Sequence, residues 1–309
     1  MKKLLTLILL SISCSVFADS HLDFTLSDFC VGQPGVQERG GVFYFPNEEV
    51  GIDATSICVY KDAFGQYSSK GRLNNGKRDG HWNFWHKNGQ KRAEISYKDG
   101  IVDDKFISWY EDGQKWLEYD FITSDNVIYT KWYENGQKEK TGNIYIEFDD
   151  DVRWIDNNFQ YGLWTFWYED GQKNFEGRKE NNKNEGKWTW WHSNGQKQQE
   201  GYYLKGSKQG KWIEWYENGN KAIEKNFQYD KLNGSRFFWF ENGQIASQEY
   251  YIEGLKDGFE IQWHKNGQKN QVVFWKNDKE NGIWQTWDEN GNKQLLRQYK
   301  NGICISGHC

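Results

Sequence analysis

The chain has 309 residues and a formal net charge of −5, from 39 basic and 44 acidic side chains. It carries 32 Gly, 2 Pro, 18 Trp, 18 Tyr and 19 Phe. So many rings argue against disorder, scarce Ala beside abundant Gly, Asn and aromatics argues against helices, and the acidic balance argues against a sequence-independent grip on nucleic acid.

In chain order, the first element is an address. Met1-Lys2-Lys3 is a positive start, Leu4 to Leu10 is apolar except for Thr6, and Val16-Phe17-Ala18 offers small residues before a cut at Asp19. That is the pattern of a secretory signal peptide over residues 1–18, too short to span a bilayer. A lipoprotein cut before Cys14 fits less well, because Ser11 stands where Leu is usual. The expectation is an exported protein, periplasmic or extracellular, and no later segment is apolar enough to cross a membrane. Cleavage removes Lys2 and Lys3, so the mature net charge is 37 − 44 = −7.

Residues 19–60 carry both prolines, Pro34 and Pro46, together with Cys30 and Cys58, and show no repeat. They read as an N-terminal cap, of the kind that shields the open end of a repeat array.

From residue 61 to 302 the chain repeats itself. An Asn-Gly-Gln-Lys string places its glycine at 89, 113, 136, 171, 195, 219, 243, 267 and 291. The spacing is 24 in most copies, and the single step of 35 carries an eleven-residue insertion, at about 143–160. Gly65 is a degraded opening copy. Positions below are counted from this anchor glycine. Position −4 is always Trp: Trp85, Trp109, Trp132, Trp167, Trp191, Trp215, Trp239, Trp263 and Trp287. Position −7 is aromatic except at Arg236 and Glu260, and Trp82, Trp164, Trp188, Trp212 and Trp284 belong to it. Position +8 is usually a ring, and −9 is Gly in seven copies.

Asn-Gly and Asp-Gly suit a tight hairpin turn, and the flanks are rich in strand formers. Each copy therefore reads as a β-hairpin that is barely stable alone and buries its rings only against its neighbours. The fold class is all-β: an elongated, solenoid-like antiparallel sheet of about nine stacked hairpins with small terminal caps. The odd separation of −4 and −7 means that both faces carry rings or that a bulge re-aims one column.

The frame from Gly210-Lys211-Trp212 through Trp215-Tyr216-Glu217-Asn218-Gly219 resembles the variant MORN repeat, as found in bacterial proteins of the YwqK-type antitoxin family. The resemblance covers roughly residues 65–302. It implies a β-hairpin repeat fold, a scaffold or binding role toward proteins or lipids, and, through the antitoxin label, a partner toxin. The residues it carries over are structural columns, not catalytic ones.

The tail, 303–309, ends with Cys304 and Cys309. Without Cys14 the mature chain has four cysteines, which in an exported protein suggests two disulfides. An open sheet of eighteen strands holds its ends about 85 Å apart, far beyond the reach of a disulfide. The expected pairs are therefore Cys30–Cys58 and Cys304–Cys309.

Candidate chemistry is sparse. His86, His192 and His264 share position −3 with Tyr110, Tyr133, Tyr168 and Tyr216, which suggests an aromatic strand position rather than a metal site. Cys304, His308 and Cys309 form a weak metal pattern. Glu147 and Asp149 to Asp151 make an acidic run in the insertion without the spacing of a calcium loop. Glu111, Glu134, Glu169, Glu217, Glu241 and Glu289 recur at −2 beside the turn, as surface residues do. No nucleophile elbow, phosphate loop or cofactor fingerprint is present. The expectation is a non-catalytic protein, without cofactor or metal, that presents an extended surface to a protein partner. The variable position −5, at Phe84, Phe166, Trp190 and Phe238, is the expected contact face. The alternative is a module binding an envelope glycan, lipid or choline-type ligand through exposed rings.

Overall fold

The computed structural model describes residues 67–123, 125–148, 154–307 and 309, and the strand backbones 29–30, 37–39, 42–44 and 54–59 upstream. The expected leader, Cys14, both prolines, Asp149 to Asp151 and His308 lie outside the described residues. The chain is all-β. Each strand pairs antiparallel with its sequence neighbour, from Lys77–Trp85 against Lys91–Lys98, through Ile101–Trp109 and onward to Lys293–Lys300 against Ile303–Gly307. The product is one open sheet of consecutive hairpins. It continues upstream of the recognisable repeats, where Ala54–Val59 pairs with Tyr67–Asn74. The eleven-residue insertion lengthens one hairpin, whose strands Lys138–Phe148 and Trp154–Trp167 pair as far as Phe148 and Trp154.

Two different turns alternate along the array. At the Asn-Gly end, Gly89 N–H donates to the His86 carbonyl at 2.9 Å, and His86 N–H donates to the Gln90 carbonyl at 2.8 Å. Only the glycine has positive φ there, +87°. This is a three-residue loop, a type I turn closed by a left-handed glycine, rather than the tight Asn-Gly turn the sequence suggests. The asparagine contributes its side chain instead. Asn88 Oδ1 accepts from Gln90 N–H at 2.9 Å, and its Nδ2 donates to the Glu111 carbonyl of the next copy at 2.8 Å. The two-residue turns lie at the opposite edge, where Asn75 and Gly76 have φ of +48° and +73° and Asp99 and Gly100 have +52° and +87°. Positive φ at both central residues defines the type I′ turn.

Bulges settle which face each column occupies. The −9 glycine has positive φ, +71° at Gly80, and where the glycine is missing Asp104 takes the same conformation at +67°. One residue opposite three there breaks the ladder, between Lys70↔Asn83 and Arg72↔Asp79. A second bulge sits beside position −4, between Phe84↔Ala93 and Trp85↔Lys91. Positions −7, −5, +4 and +6 then share one face, called inner here: Trp82, Phe84, Ala93 and Ile95 are all buried. Positions −8, −4, +2 and +5 share the outer face. Both faces carry rings, and bulges are present as well.

The deepest burial belongs to the −7 column. Trp82, Trp164, Trp188 and Trp212 are buried, whereas the invariant −4 tryptophans are half-buried. Each of these four buried indoles lies flat on a glycine at +6 of the preceding strand. A Cβ at Gly71, Gly142, Gly177 or Gly201 would stand 2.1–2.2 Å from the ring of Trp82, Trp164, Trp188 or Trp212. Where +6 carries a side chain, a smaller ring can stand opposite, as in Ile95 opposite Phe106 and Tyr119 opposite Tyr129, although Val273 still faces Trp284. Truncating such a buried Trp costs about 3–5 kcal/mol.

Candidate interaction surfaces

The invariant Trp at −4 owes its place to the outer face. In six copies the Lys of the Asn-Gly-Gln-Lys string reaches across to the Trp of the next copy. Lys115 Nζ lies 4.8 Å from the Trp132 ring centroid, Lys197 5.7 Å from Trp215 and Lys221 4.9 Å from Trp239. The same Lys pairs with the Glu at +5, as in Lys221–Glu224 at 2.9 Å, and that Glu takes a second Lys from −8, as in Lys211–Glu224 at 2.7 Å. Burial pushes the Glu224 carboxyl up, but the hydrogen bonds and charges of Lys211 and Lys221 outweigh it and hold the group below the usual carboxylate range. Glu118 and Glu200 are held the same way. Each pair is modest, and repetition along the array makes a ladder.

The −3 column is a second ladder. Tyr110, Tyr133, Tyr168 and Tyr216 hydroxyls donate to the carbonyls of Trp132, Trp167, Trp191 and Trp239 at 2.7–3.1 Å. His86, His192 and His264 reach the carbonyls of Trp109, Trp215 and Trp287 with Nε2 at 2.9–3.0 Å. A carbonyl only accepts, so these imidazoles carry their proton on Nε2. The three histidines stand in for tyrosine and sit in separate copies. Among the described residues no group of three His, Cys, Asp or Glu side chains is arranged to hold a metal.

Position −5 lies on the inner face with the buried column. Phe84 is buried in the core. Phe166 packs on Phe175 with centroids 4.1 Å apart, and Trp190 sits between Trp188 and Trp212 at 5.9 and 5.7 Å. Phe166, Trp190 and Phe238 are half-buried. The structure brings this column together with a cluster that the sequence marks only as exceptions. Beyond Trp212 the Gly/Trp pairing stops, and the same two columns hold Lys225 opposite Arg236 and Glu249 beside Glu260.

These charges compensate one another along the inner face. Lys256 Nζ bridges Glu249 at 3.2 Å and Glu260 at 2.6 Å, and Arg236 lies 3.6 Å from Glu249. Tyr251 donates its hydroxyl to Glu249 at 2.9 Å, and the Arg236 guanidinium covers the Phe238 ring at 4.3 Å. Burial alone would depress the Lys256 ammonium, but the hydrogen bond and charge of Glu260, joined by Glu249, hold it above its ordinary value. Tyr251 is raised by burial and by its bond to Glu249. The local ladder is opened to fit this seam: Gln248↔Ile261 and Tyr251↔Lys256 leave two residues facing four. The signal that could have found it was the departure of Arg236 and Glu260 from an aromatic column.

At the C-terminus, Cys304 and Cys309 are joined in a disulfide, with Cα atoms 5.9 Å apart. Upstream, the backbone pairing sets Cys30 directly opposite Cys58.

The geometry defines a class: a repeat scaffold of the binding type, in which each hairpin is held by its neighbours. Comparison with known proteins agrees at that level. The MORN repeat variant matches five segments, residues 78–99, 184–205, 208–229, 232–253 and 280–301. No curated protein matches the sequence. Among solved structures, the chain is similar to part of the Photorhabdus luminescens Tc holotoxin pore, at 11% identity over 81% of this chain and 17% of that one, with a TM-score of 0.17. It is also similar to part of the crystal structure of TcdB2-TccC3-TEV, at 10% identity over 84% of this chain and 18% of that one, with a TM-score of 0.13. This chain thus spans about a sixth of the length of those chains.

Proposed function

We propose that this chain is an exported, non-catalytic scaffold whose inner face binds a protein partner. One observation carries the reading. The inner face is an aromatic column wherever packing governs it, and next to Phe238 it becomes a charged seam of Arg236, Glu249, Lys256 and Glu260. Charges in place of two successive Gly/Trp pairs bring desolvation costs that packing does not require, and half-buried rings beside a polar cluster are the composition of a protein-recognition surface. By resemblance to YwqK-type antitoxins, an immunity-like grip on a toxin is the form of binding this reading favours. Export rests on the Met1–Ala18 pattern.

The rival reading, a glycan or choline-type module, draws on the same rings, since Trp190 and Phe166 also suit stacking on a sugar or a quaternary ammonium. A pull-down from envelope extract, run beside a glycan array, separates the two. The scaffold reading expects a discrete protein captured by wild type and lost with Trp190→Ala or Phe238→Ala. Glycan binding that disappears in those variants, with no protein captured, overturns it.

A further inference from the structure

The outer face also changes character, at the far end of the array. In three copies, positions −8 and +5 form a cross-strand ion pair, Lys105–Glu118 at 3.0 Å, Lys187–Glu200 at 3.2 Å and Lys211–Glu224 at 2.7 Å, and in the two copies between them a single apolar residue, Ile128 or Leu163, stands at −8 opposite Thr141 or Glu176. In the last two copies the same positions hold Phe259 with Val272 and Ile283 with Leu296. Tyr250 and Phe274 extend the patch, and the rings of Phe259 and Phe274 meet edge to face at 5.0 Å. Phe259, Ile283 and Leu296 are 57%, 55% and 59% exposed. Where the inner face turns charged at Glu249 and Glu260, the outer face turns apolar.

We propose that this outer patch is the docking face for a second copy of the chain. Three features fit that occupant. The row Ile261, Val272, Gln285 and Leu296 contains no charged side chain, so the partner surface over it must be apolar too, and the ion pair of Asp257 with Lys276 at 2.8 Å borders the patch beside Tyr250. Gln285, the polar group in its middle, is already satisfied, its Nε2 donating to the Thr286 and Leu295 carbonyls at 2.9 and 2.7 Å. Drying the middle of the face therefore does not orphan that amide. Tyr250, Phe259, Ile283 and Leu296, each 45–59% exposed, make a contiguous apolar patch toward the upper end of what a monomer leaves bare, and a stable interface covers roughly 800 Å² per partner. An identical sheet face has the matching strand spacing, and two such faces pack as layers about 10 Å apart around a two-fold axis.

The test uses the mature chain and two double variants, Phe259→Lys with Val272→Glu, and Ile283→Lys with Leu296→Glu. Each installs the ion pair that Lys187 and Glu200 already make at the same positions, so the sheet is kept. Light scattering after size exclusion, together with sedimentation over a wide concentration range, reads the mass. Wild type is expected as a dimer, and each variant as a monomer or at least tenfold weaker in self-association, with an unchanged circular dichroism melt. If one variant fails to fold, the other carries the test. A wild type that is monomeric throughout, or a dimer that the folded variants leave intact, overturns the proposal. Because the patch lies on the opposite face, Trp190→Ala is expected to leave the mass unchanged whatever it does to partner capture.

Discussion

Replacing Gly177 by Ala probes the packing rule that organises the array. Gly177 has ordinary strand φ, so at an open site Ala would stabilise by about 0.4–1 kcal/mol through the unfolded state. Here the added Cβ stands 2.1 Å from Trp188 Cδ2 and 2.3 Å from Cε2. Carbon atoms settle at about 3.5–4.0 Å, so the indole must retreat by about 1.4 Å. Its freedom is small, because Nε1 donates to the Arg178 carbonyl at 3.0 Å and the rings of Phe175 and Trp190 flank it at 6.2 and 5.9 Å. Overpacking and a weakened hydrogen bond together cost about 2–4 kcal/mol. The chain itself suggests the rescue: Gly177→Ile with Trp188→Phe copies the Ile95–Phe106 pair. Urea unfolding followed by circular dichroism should show a lowered midpoint for Gly177→Ala and for Gly177→Ile, with more than half of the latter loss recovered in the double variant. An unchanged or raised midpoint for Gly177→Ala, or a double variant worse than the sum of its parts, refutes the reasoning.

Further expectations follow from the ladders. Lys221→Met removes a cation from the Trp239 ring and a partner from Glu224, and should lower stability by about 0.5–1 kcal/mol in thermal melts, less at high salt. His192→Tyr should be near neutral, whereas His192→Phe loses the bond to the Trp215 carbonyl and about 1 kcal/mol. Glu118, Glu200 and Glu224 have folded values below the ordinary 4.5, so their contribution is present above that value and is lost as pH falls through the depressed folded values. Melting temperature should therefore drop as pH falls below about 4.5, and Lys211→Met with Lys221→Met should flatten that drop. A non-reducing peptide map should link Cys304 to Cys309 and Cys30 to Cys58, and a bridge from Cys30 to either C-terminal cysteine would contradict an open array.

The period, the hairpins and the strand class were legible because turn chemistry is local. A left-handed glycine with Asn or Asp before it suits a chain reversal, and the pair recurs at every anchor from Gly89 to Gly291. The C-terminal disulfide was legible for the same reason, five residues apart on one strand end. The faces were harder to read. Alternation predicts sidedness only along an unbroken strand, and the bulges beside Gly80 and Trp85 reset the count twice per copy. Invariance misled as to depth. Trp at −4 recurs on the outer face, where its ring receives a lysine of the preceding copy, while the deeper −7 ring changes between copies. The coupling of Gly177 to Trp188 and of Ile95 to Phe106 was written in the sequence, but it joins positions on different strands, and only the register of the sheet pairs them. The charged seam was visible as Arg236 and Glu260 breaking a column. That Lys256, from beyond a turn, lands between Glu249 and Glu260 was not.

The central claim is that pairing between neighbouring hairpins holds the described residues together as one open sheet. Small-angle X-ray scattering of the mature protein, extrapolated to zero concentration, measures that directly. About twenty strands at about 4.8 Å each give a long body with a radius of gyration of about 30 Å. A compact globule of the same length would give about 19 Å. A value near the first, with a maximum dimension of about 100 Å, is what the open array predicts, and a value near the second would contradict it.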